Sequence, residues 1–321
     1  MKLITEVGLP EYPFRIDHHD PSLFLGSCFT ENIGRLLERW MFPVTINPFG
    51  VTYNPASVFR QVEALMQKDA YVEEDLKYEN GLWFSFDHYT GFSSPDKQKC
   101  LDGINLAFLK AKKELKEASL LVITWGTSWV YQYKTSGSVV CNCHKIPATQ
   151  FSRTRLSVKE IIKQYNELLP QLFSYNPDLK ILLTVSPVRH WKDGAHGNQL
   201  SKATLLLASE ALEQQFPEKI FYFPSYELTM DEMRDYRFYA DDMLHLSSIG
   251  IRYVWEKFLR VLISGESQLI MNDLEALIRM EEHRSNDAGS ESHKYTLRKR
   301  DEKRLVLQKK YPFLKWGEYF V

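Results

Sequence analysis

Hydrophobic residues follow two alternating patterns along the chain. Five short runs are almost entirely aliphatic or aromatic, which is typical of strands buried on both faces of a parallel sheet. These runs cover residues 23–25, 44–46, 120–124, 181–185 and 220–223. The segments around them have apolar residues at helical spacing and predict six helices, at about residues 31–41, 56–67, 101–116, 157–173, 201–215 and 248–262.

The order of these elements predicts the class of fold. Strands that alternate with helices favour an α/β protein in which helices cover both faces of a parallel sheet. Because crossovers between parallel strands are right-handed, we expect an open three-layer αβα sandwich with five strands. Ligands bind such sheets at the carboxyl ends of the strands, so reactive residues are expected after positions 25, 124 and 185 and before the last helix of the sheet.

Two polar and aromatic segments, residues 73–99 and 131–155, interrupt the alternation as loop insertions. Long insertions at strand ends often form lids or binding walls, although they are also found as decoration. His88 lies in the first insertion, and we interpret it as a packing or surface residue.

The strand and helix alternation stops near residue 262. A charged helical region at residues 272–284 is followed by a stretch with linker composition at residues 285–292 and then by a basic tail. The tail is predicted to be a charged helix with an aromatic end. We therefore expect a catalytic domain at residues 1–265 and a helical C-terminal extension at residues 266–321.

Composition narrows the classes of function. The 321 residues are 44% hydrophobic and 25% charged, with a net charge of -1, so no global field recruits nucleic acid or anionic lipid. The sequence has neither a long uncharged apolar run nor the pattern of a secretory signal. Its four cysteines show no disulfide framework. These features predict a cytoplasmic protein without nucleic-acid or membrane partners, and they leave its oligomeric state open.

The first strand pattern ends in the sequence LGSCFT at residues 25–30, which places Ser27 and Cys28 directly before a helix. N–H groups at a helix N-terminus stabilise both a thiolate and an oxyanion, so Cys28 is a candidate reactive thiol. A structural interpretation also fits, in which Cys28 is a small buried hydrophobe and Thr30 caps the helix.

A second candidate segment, DDMLHLSS at residues 241–248, lies between the fifth strand and the last helix of the sheet. With two residues between them in a turn, Asp242 can bind one ring nitrogen of His245 and leave the other nitrogen facing the crevice. A solvated acidic loop with a structural histidine fits the same residues. The predicted topology brings this segment and LGSCFT to one edge of the sheet, which favours the catalytic interpretation.

The sequence CNCH at residues 141–144 has side chains that suit zinc, but it supplies only three ligands at unusual spacing. We therefore expect no metal and no other cofactor here. Asn142 and His144 are instead predicted to line the substrate pocket.

The loop after the fourth strand, SPVRHWKDG at residues 186–194, carries a candidate anion-binding side chain. Arg189 can bind a carboxylate or phosphate through two parallel hydrogen bonds, and His190 can contact the substrate. The alternative is a turn in which Arg189 pairs with Asp193.

A family resemblance combines these segments. The GSCF run, with GTSW at residues 126–129, NCHK at 142–145, SPVRH at 186–190 and DMLH at 242–245, resembles the GSCFA family of bacterial proteins, which is similar in turn to the SGNH/GDSL hydrolases. The resemblance covers about residues 20–262, and LGSCFT is its most specific part. It implies an SGNH-hydrolase-like sandwich whose five parallel strands have flavodoxin-like order.

The resemblance also implies roles for individual residues. The first SGNH block, Gly-Asp-Ser, places Cys28 at the nucleophilic serine, whereas a shift of one residue makes Ser27 the nucleophile. The third block, Gly-x-Asn-Asp, resembles the GTSW that begins at Gly126, and there Ser128 replaces the asparagine of the oxyanion hole. Losing one such donor typically costs about two to three orders of magnitude in rate, so this replacement weakens the case for full esterase activity.

The last SGNH block, Asp-x-x-His, is intact at Asp242 and His245. The glycine of the second block matches Gly50, whose N–H could point at the oxyanion, although a turn glycine fits equally well. Asn54 is a further donor candidate on the same loop, with helix capping ahead of Pro55 as the alternative.

The implied activity is that of an acyl-ester hydrolase or acyltransferase. His245 takes the proton from Cys28 or Ser27, and the nucleophile attacks an ester carbonyl whose oxyanion is held by the N–H groups of Cys28 and Gly50. By analogy with the superfamily, the substrate is a small or carbohydrate-linked ester. Two other classes stay open, namely a non-catalytic ligand-binding module and a thiol redox or metal protein.

Overall fold

The computed structural model describes residues 5–282 and 291–319 and contains a central sheet of five parallel strands. The strands within these residues are β1 (Ser22–Gly26), β2 (Val44–Ile46), β3 (Lys77–Glu79), β4 (Leu82–Phe84), β5 (Leu120–Trp125), β6 (Trp129–Tyr133), β7 (Val139–Val140), β8 (Phe151–Arg155), β9 (Lys180–Val185) and β10 (Ile220–Tyr222).

Helices follow most of the strands. They are α1 (Cys28–Arg39), α2 (Pro55–Gln67), α3 (Lys97–Glu117), α4 (Val158–Tyr175), α5 (Gly194–Gln215), α6 (Ser225–Glu227), α7 (Ser248–Leu262), α8 (Gly265–Glu282), α9 (Glu291–Lys310) and α10 (Trp316–Tyr319). Short 3₁₀ turns lie at Glu73–Asp75, Thr90–Phe92, Ala148–Gln150, Trp191–Asp193 and Tyr236–Phe238, and a π turn lies at Leu228–Glu232.

The central sheet has the order β10-β9-β5-β1-β2, and all its strand pairs are parallel. This is the flavodoxin-like order, so the predicted α/β fold is confirmed. Side chains alternate between the two faces of each strand. Leu23 and Leu121 pack against α2, α3, α4 and α5 on one face, and Phe24 and Val122 pack against α1 and α7 on the other.

A glycine ends β1 because no other residue fits there. Gly26 has a φ of 140°, and a Cβ on it would lie 2.3 Å from the backbone oxygen of Thr124 in the neighbouring strand β5. Its N–H donates to Asn47 Oδ1 at 2.9 Å, which joins the end of β1 to the loop after β2. The chain therefore turns sharply from the sheet into α1 at this glycine.

Helix α1 begins at Cys28, three residues before the predicted start at residue 31. Ser27, not Thr30, is the N-cap, so the predicted capping role of Thr30 is wrong. The Thr30 hydroxyl instead donates to Thr124 Oγ1 at 2.7 Å inside the core. Helix α5 also begins earlier than predicted, at Gly194 and not at residue 201.

The two insertions form structure of their own. The first contains the hairpin of β3 and β4, and the second belongs to a three-stranded antiparallel sheet of β6, β7 and β8. Phe84 from the first and Phe151 from the second meet in one apolar cluster. The insertions thus form a small aromatic layer beside the carboxyl edge of β5.

Helices α8 and α9 pack against the central domain. Ile270 and Leu274 of α8 share an apolar cluster with Met41, which follows α1, and with Leu307 of α9. The predicted linker at residues 285–292 lies outside the described residues up to position 290, and α9 includes its last two positions. The division at residue 265 stays a prediction. None of the helices in the described parts of the chain combines the length and apolarity needed to cross a membrane.

Candidate active site

A cavity of about 350 Å³ lies at the carboxyl ends of β1 and β9. It is lined by residues from four loops or helix starts, namely Ser27, Cys28, Tyr53, Ser186, Val188, Arg189, His190 and His245. An apolar cavity next to it also contains Cys28 and His245 in its wall, together with Phe29 and Val254. The fold therefore brings the first and last predicted segments to one place.

Cys28 is the first residue of α1 and is partly exposed. Burial raises the pKa of its thiol above the usual 9.0, while its own backbone N–H and the Lys202 ammonium oppose the shift. The charges of Glu31 and Asp242 raise the pKa further. The expected stabilisation of a thiolate by the helix N-terminus is thus outweighed, and the thiol is neutral at neutral pH.

Ser27 is far less accessible than Cys28. Only 1% of its surface is exposed, and its buried hydroxyl has no hydrogen-bond partner among the described residues. Its N–H donates to the backbone oxygen of Thr124 at 3.2 Å, which fixes it between β1 and β5. Of the two candidate nucleophiles, the thiol of Cys28 is therefore better placed to meet a substrate.

Asp242 and His245 form the predicted pair. His245 Nδ1 lies 2.6 Å from Asp242 Oδ2, and Asp242 Oδ1 accepts the backbone N–H groups of Leu244 and His245 at 2.9 Å each. These bonds, with the His245 N–H first among them, lower the pKa of Asp242 to about 2. The carboxylate consequently stays ionised and fixes the imidazole with Nε2 as the unbound nitrogen.

Two predicted oxyanion donors are engaged elsewhere. The N–H of Gly50 donates to the backbone oxygen of Asn47 at 2.7 Å, and Gly50 has the φ of 85° of a turn glycine. Ser128 is fully buried, and its hydroxyl donates to Ser201 Oγ at 3.1 Å. Neither group belongs to the wall of the cavity that contains Cys28.

The other two predicted donors have backbone roles. The N–H of Gly126 donates to the backbone oxygen of Tyr53 at 2.7 Å. A Cβ on Gly126 would lie 3.2 Å from His190 Nε2 and 3.4 Å from Ser27 Cβ, so this glycine leaves room for both. Asn54 caps α2 by accepting the N–H of Ser57 at 2.8 Å, in agreement with the alternative role predicted for it.

Arg189 does not pair with Asp193, so that predicted alternative is wrong. Asp193 binds Arg153 instead, and Arg189 forms no ion pair with any described residue. His190 lies beside Arg189 in the cavity wall, where its ring meets that of Tyr53 edge to face at 5.6 Å. Burial, aided by the charge of Lys202, lowers the pKa of His190 to about 4, so its imidazole is neutral.

The CNCH segment divides between two environments. Asn142 lines a neighbouring cavity of about 360 Å³ together with Tyr53 and His190. His144 turns away from it, stacks on Phe84 at 4.2 Å, and contacts the backbone oxygen of Ser85 through Nε2 at 2.9 Å. The predicted pocket role of His144 is therefore wrong, because the aromatic layer of the first insertion binds its ring.

Lys202 is a residue that the sequence reasoning missed. It is 1% exposed, and its Nζ donates to the backbone oxygens of Gly126 and Ser186 at 2.5 Å each. Burial lowers its pKa to about 7, and only the thiolate form of Cys28 would oppose this shift. The available signal was its position in α5, on the same helical face as Leu205 and Leu212.

The fold and the site define a three-layer α/β protein in which a thiol and an imidazole line one cavity at the carboxyl edge of the sheet, and a carboxylate binds the imidazole. The model of the GSCFA family matches residues 21–258, so the chain belongs to the GSCFA family. No curated protein matches the chain in sequence. A solved structure from Streptococcus pneumonia, described as a candidate platelet activating factor, is similar at 13% identity, with 75% of this chain and 83% of that chain covered and a TM-score of 0.38.

Proposed function

We propose that this GSCFA protein is an acyl-ester hydrolase or acyltransferase with Cys28 as nucleophile and His245 as general base. The observation that carries the proposal is that Cys28 and His245 line the same cavity, while Asp242 binds the opposite nitrogen of the imidazole. A nucleophile, a base and a group that orients the base are the parts that acyl transfer requires.

Because the thiol is neutral, the reaction begins with a proton transfer. His245 Nε2 accepts the proton of Cys28 as the sulfur attacks the ester carbonyl, and the imidazolium is stabilised by Asp242. The imidazolium then protonates the leaving alkoxide as the carbon–oxygen ester bond breaks. Water or an acceptor hydroxyl, deprotonated by His245, finally attacks the thioester and releases Cys28. Hydrolysis and transfer differ only in this acceptor.

The developing oxyanion needs donors other than those predicted at Gly50 and Ser128. The N–H of Cys28 lies at the positive end of α1, where backbone dipoles favour negative charge. We therefore assign the oxyanion to the start of α1. A small-molecule or carbohydrate-linked ester remains the proposed substrate, with the family resemblance as its support.

Two covalent probes and an ester panel test the function. We expect iodoacetamide to label Cys28, and a fluorophosphonate to leave Ser27 unlabelled, when the labelled residue is mapped by mass spectrometry. Turnover of at least one ester should be lost in Cys28→Ala and His245→Ala and retained in Cys143→Ala and Ser27→Ala. Labelling of Ser27 by the fluorophosphonate would move the nucleophile by one residue. If no ester in the panel is turned over, the enzymatic assignment fails.

A non-catalytic ligand-binding module is the second candidate. It is favoured by the engagement of the N–H of Gly50 and the hydroxyl of Ser128 within the protein, because fewer donors then remain for an oxyanion. The two functions differ in the effect of Cys28→Ala. A binding module keeps its ligand affinity in this variant and shows no covalent intermediate, whereas an enzyme loses turnover.

We also infer a cytoplasmic location from the small number of cysteines. Cys28, Cys100, Cys141 and Cys143 are all free thiols, in keeping with a reducing compartment. Cell fractionation of the tagged protein tests the location, and recovery from an extracellular fraction would contradict it.

A further inference from the structure

The cavity beside Cys28 contains a cation that no carboxylate in the described part of the chain neutralises. Arg189 lies in its wall with Cys28 and His245, and none of the described carboxylates pairs with its guanidinium. We propose that this cavity binds an anionic group of the substrate, a carboxylate or a phosphate, and that Arg189 recognises it. The proposal rests on the proposed function only for the statement that the anion belongs to the acyl substrate.

Three carboxylates around the cavity have other partners. Asp193, four residues along the same loop, binds Arg153. Asp242 binds His245, and Glu31 of α1 binds Arg35 at 3.1 Å. A buried or half-buried cation without a partner is unfavourable, so the missing anion has to come from solvent or from a ligand. A substrate anion is the occupant that also explains the position beside Cys28.

The other cations near the cavity do not offer the same site. Arg153 is neutralised by Asp193, and Lys192 donates to the hydroxyl of Tyr131 at 2.7 Å. Lys202 is buried under the cavity and uses Nζ to bind two backbone oxygens. Its charge adds positive potential, but its N–H groups are not available to bind a ligand. Arg189 alone among these side chains is both uncommitted and in the cavity wall with Cys28.

The chemistry of guanidinium selects the ligand. Its planar N–H groups match the two oxygens of a carboxylate or phosphate, which gives geometric selectivity as well as attraction. The rings of Tyr53 and His190 form the adjacent wall and meet edge to face. A cavity of about 350 Å³ has room for a short acyl chain that carries such a group. We therefore expect Arg189 to favour esters whose acyl part is anionic.

Two alkylating reagents of nearly equal size test this without any ester. Iodoacetate carries a carboxylate and iodoacetamide does not, and both form a thioether at cysteine sulfur with loss of iodide. The rate ratio of iodoacetate to iodoacetamide at Cys28, measured by mass spectrometry at about pH 9, is compared with the ratio in the denatured protein. We expect the folded protein to exceed the denatured ratio by about five- to tenfold, as suits a partly exposed charge-assisted hydrogen bond.

The variant Arg189→Gln should return the ratio to that of the denatured protein. Arg189→Lys keeps the positive charge but lacks the planar pair of N–H groups, so it should give an intermediate ratio. Arg298→Gln, at an exposed position of α9, is the matched control and should leave the ratio unchanged. Equal ratios in the wild type and Arg189→Gln overturn the proposal.

A second measurement does not depend on alkylation, so it applies even if Cys28 reacts slowly. It also distinguishes a carboxylate from a phosphate as the bound anion. Malonate and inorganic phosphate are added at an ionic strength matched with chloride, and Tm is recorded for the wild type and Arg189→Gln. A rise in the wild type alone supports the proposal and shows which anion binds, while no rise with either anion overturns it. Anion selectivity without ester turnover contradicts the proposed function only. Equal turnover of neutral and anionic esters contradicts the anion site only.

Discussion

His245 Nδ1 and Asp242 Oδ2 are 2.6 Å apart, and this contact sets the direction of the imidazole in the cavity. The carboxylate is itself fixed by the N–H groups of Leu244 and His245, so the loop positions the base from within four residues. A carboxylate in this position holds the proton on Nδ1 and leaves Nε2 as the acceptor. The loop thus specifies the tautomer that acyl transfer needs.

Replacing this carboxylate by an amide should therefore impair catalysis without unfolding the protein. In Asp242→Asn the amide can donate to Nδ1, which favours the wrong tautomer, and we expect kcat/KM to fall by about 10³- to 10⁴-fold. The pair is half exposed, so Tm should change little. Steady-state kinetics with an ester from the panel provides the measurement. A loss below tenfold would show that Asp242 does not orient the base.

The pH dependence of alkylation tests the neutral thiol. Burial raises the pKa of Cys28 above 9.0, so the rate of reaction with iodoacetamide should keep rising beyond pH 9. Glu31→Gln should move the midpoint down, because the carboxylate of Glu31 raises the pKa of the thiol. Lys202, whose pKa is about 7, has lost its charge in this pH range. Three other titratable side chains face the thiol and are not changed in this comparison, namely Asp242, His245 and Tyr53. A midpoint below pH 8 would indicate a thiolate–imidazolium pair instead.

Much of the fold is predictable because its strands have a strong signal. The aliphatic runs at residues 120–124 and 181–185 need cover on both faces, and helical patterns on either side provide it. Boundaries are less predictable, as at the start of α1. Ser27 is the N-cap of that helix but makes no side-chain hydrogen bond to it. The prediction of Thr30 as the cap relied on the usual preference for a residue whose side chain makes such a bond.

The candidate site is predictable only as far as it follows chain position. Cys28 lies just after β1 and His245 lies just before α7, and the topology predicted from the sequence brings these two segments together. The engagement of Gly50 by Asn47, and of Ser128 by Ser201, depends on hydrogen bonds within loops that no spacing rule specifies. Lys202 was missed because lysine in a helix is normally solvated.

Lys202 should stabilise the fold through two backbone oxygens. Lys202→Met keeps most of the side-chain volume but leaves the oxygens of Gly126 and Ser186 without a donor, and we expect a loss of about 2 kcal/mol or more in the free energy of unfolding. Urea unfolding measures this loss, with Lys159→Met at an exposed position of α4 as the control. Equal stability of Lys202→Met and the control would contradict this role.

The effect of Lys202 should also depend on pH. Its folded pKa of about 7 is below the ordinary lysine pKa of 10.5, so the unfolded chain binds more protons between these values and wild-type stability rises with pH. The stability gap between the wild type and Lys202→Met should therefore widen from pH 7 to pH 9.5. A gap that narrows over this range would show that the lysine is stabilised as an ammonium.

His88 should make the protein sensitive to acid. It is fully buried among Phe49, Tyr71 and Phe92, and neither ring nitrogen has a hydrogen-bond partner within residues 5–282 and 291–319. Burial lowers its pKa to about 4. Because the folded pKa is below the unfolded value of 6.5, the neutral ring contributes stability above that value and this contribution is lost as pH falls towards 4. Each pKa unit corresponds to about 1.4 kcal/mol, so the loss by pH 4.5 is about 2 to 3 kcal/mol.

His88→Phe keeps the ring contacts and removes the titration, whereas His196→Phe changes an exposed histidine. Urea unfolding at pH 7 and pH 4.5 should show a smaller acid loss in His88→Phe than in the wild type or in His196→Phe. Equal acid losses in all three proteins would mean that His88 is not held in its neutral form.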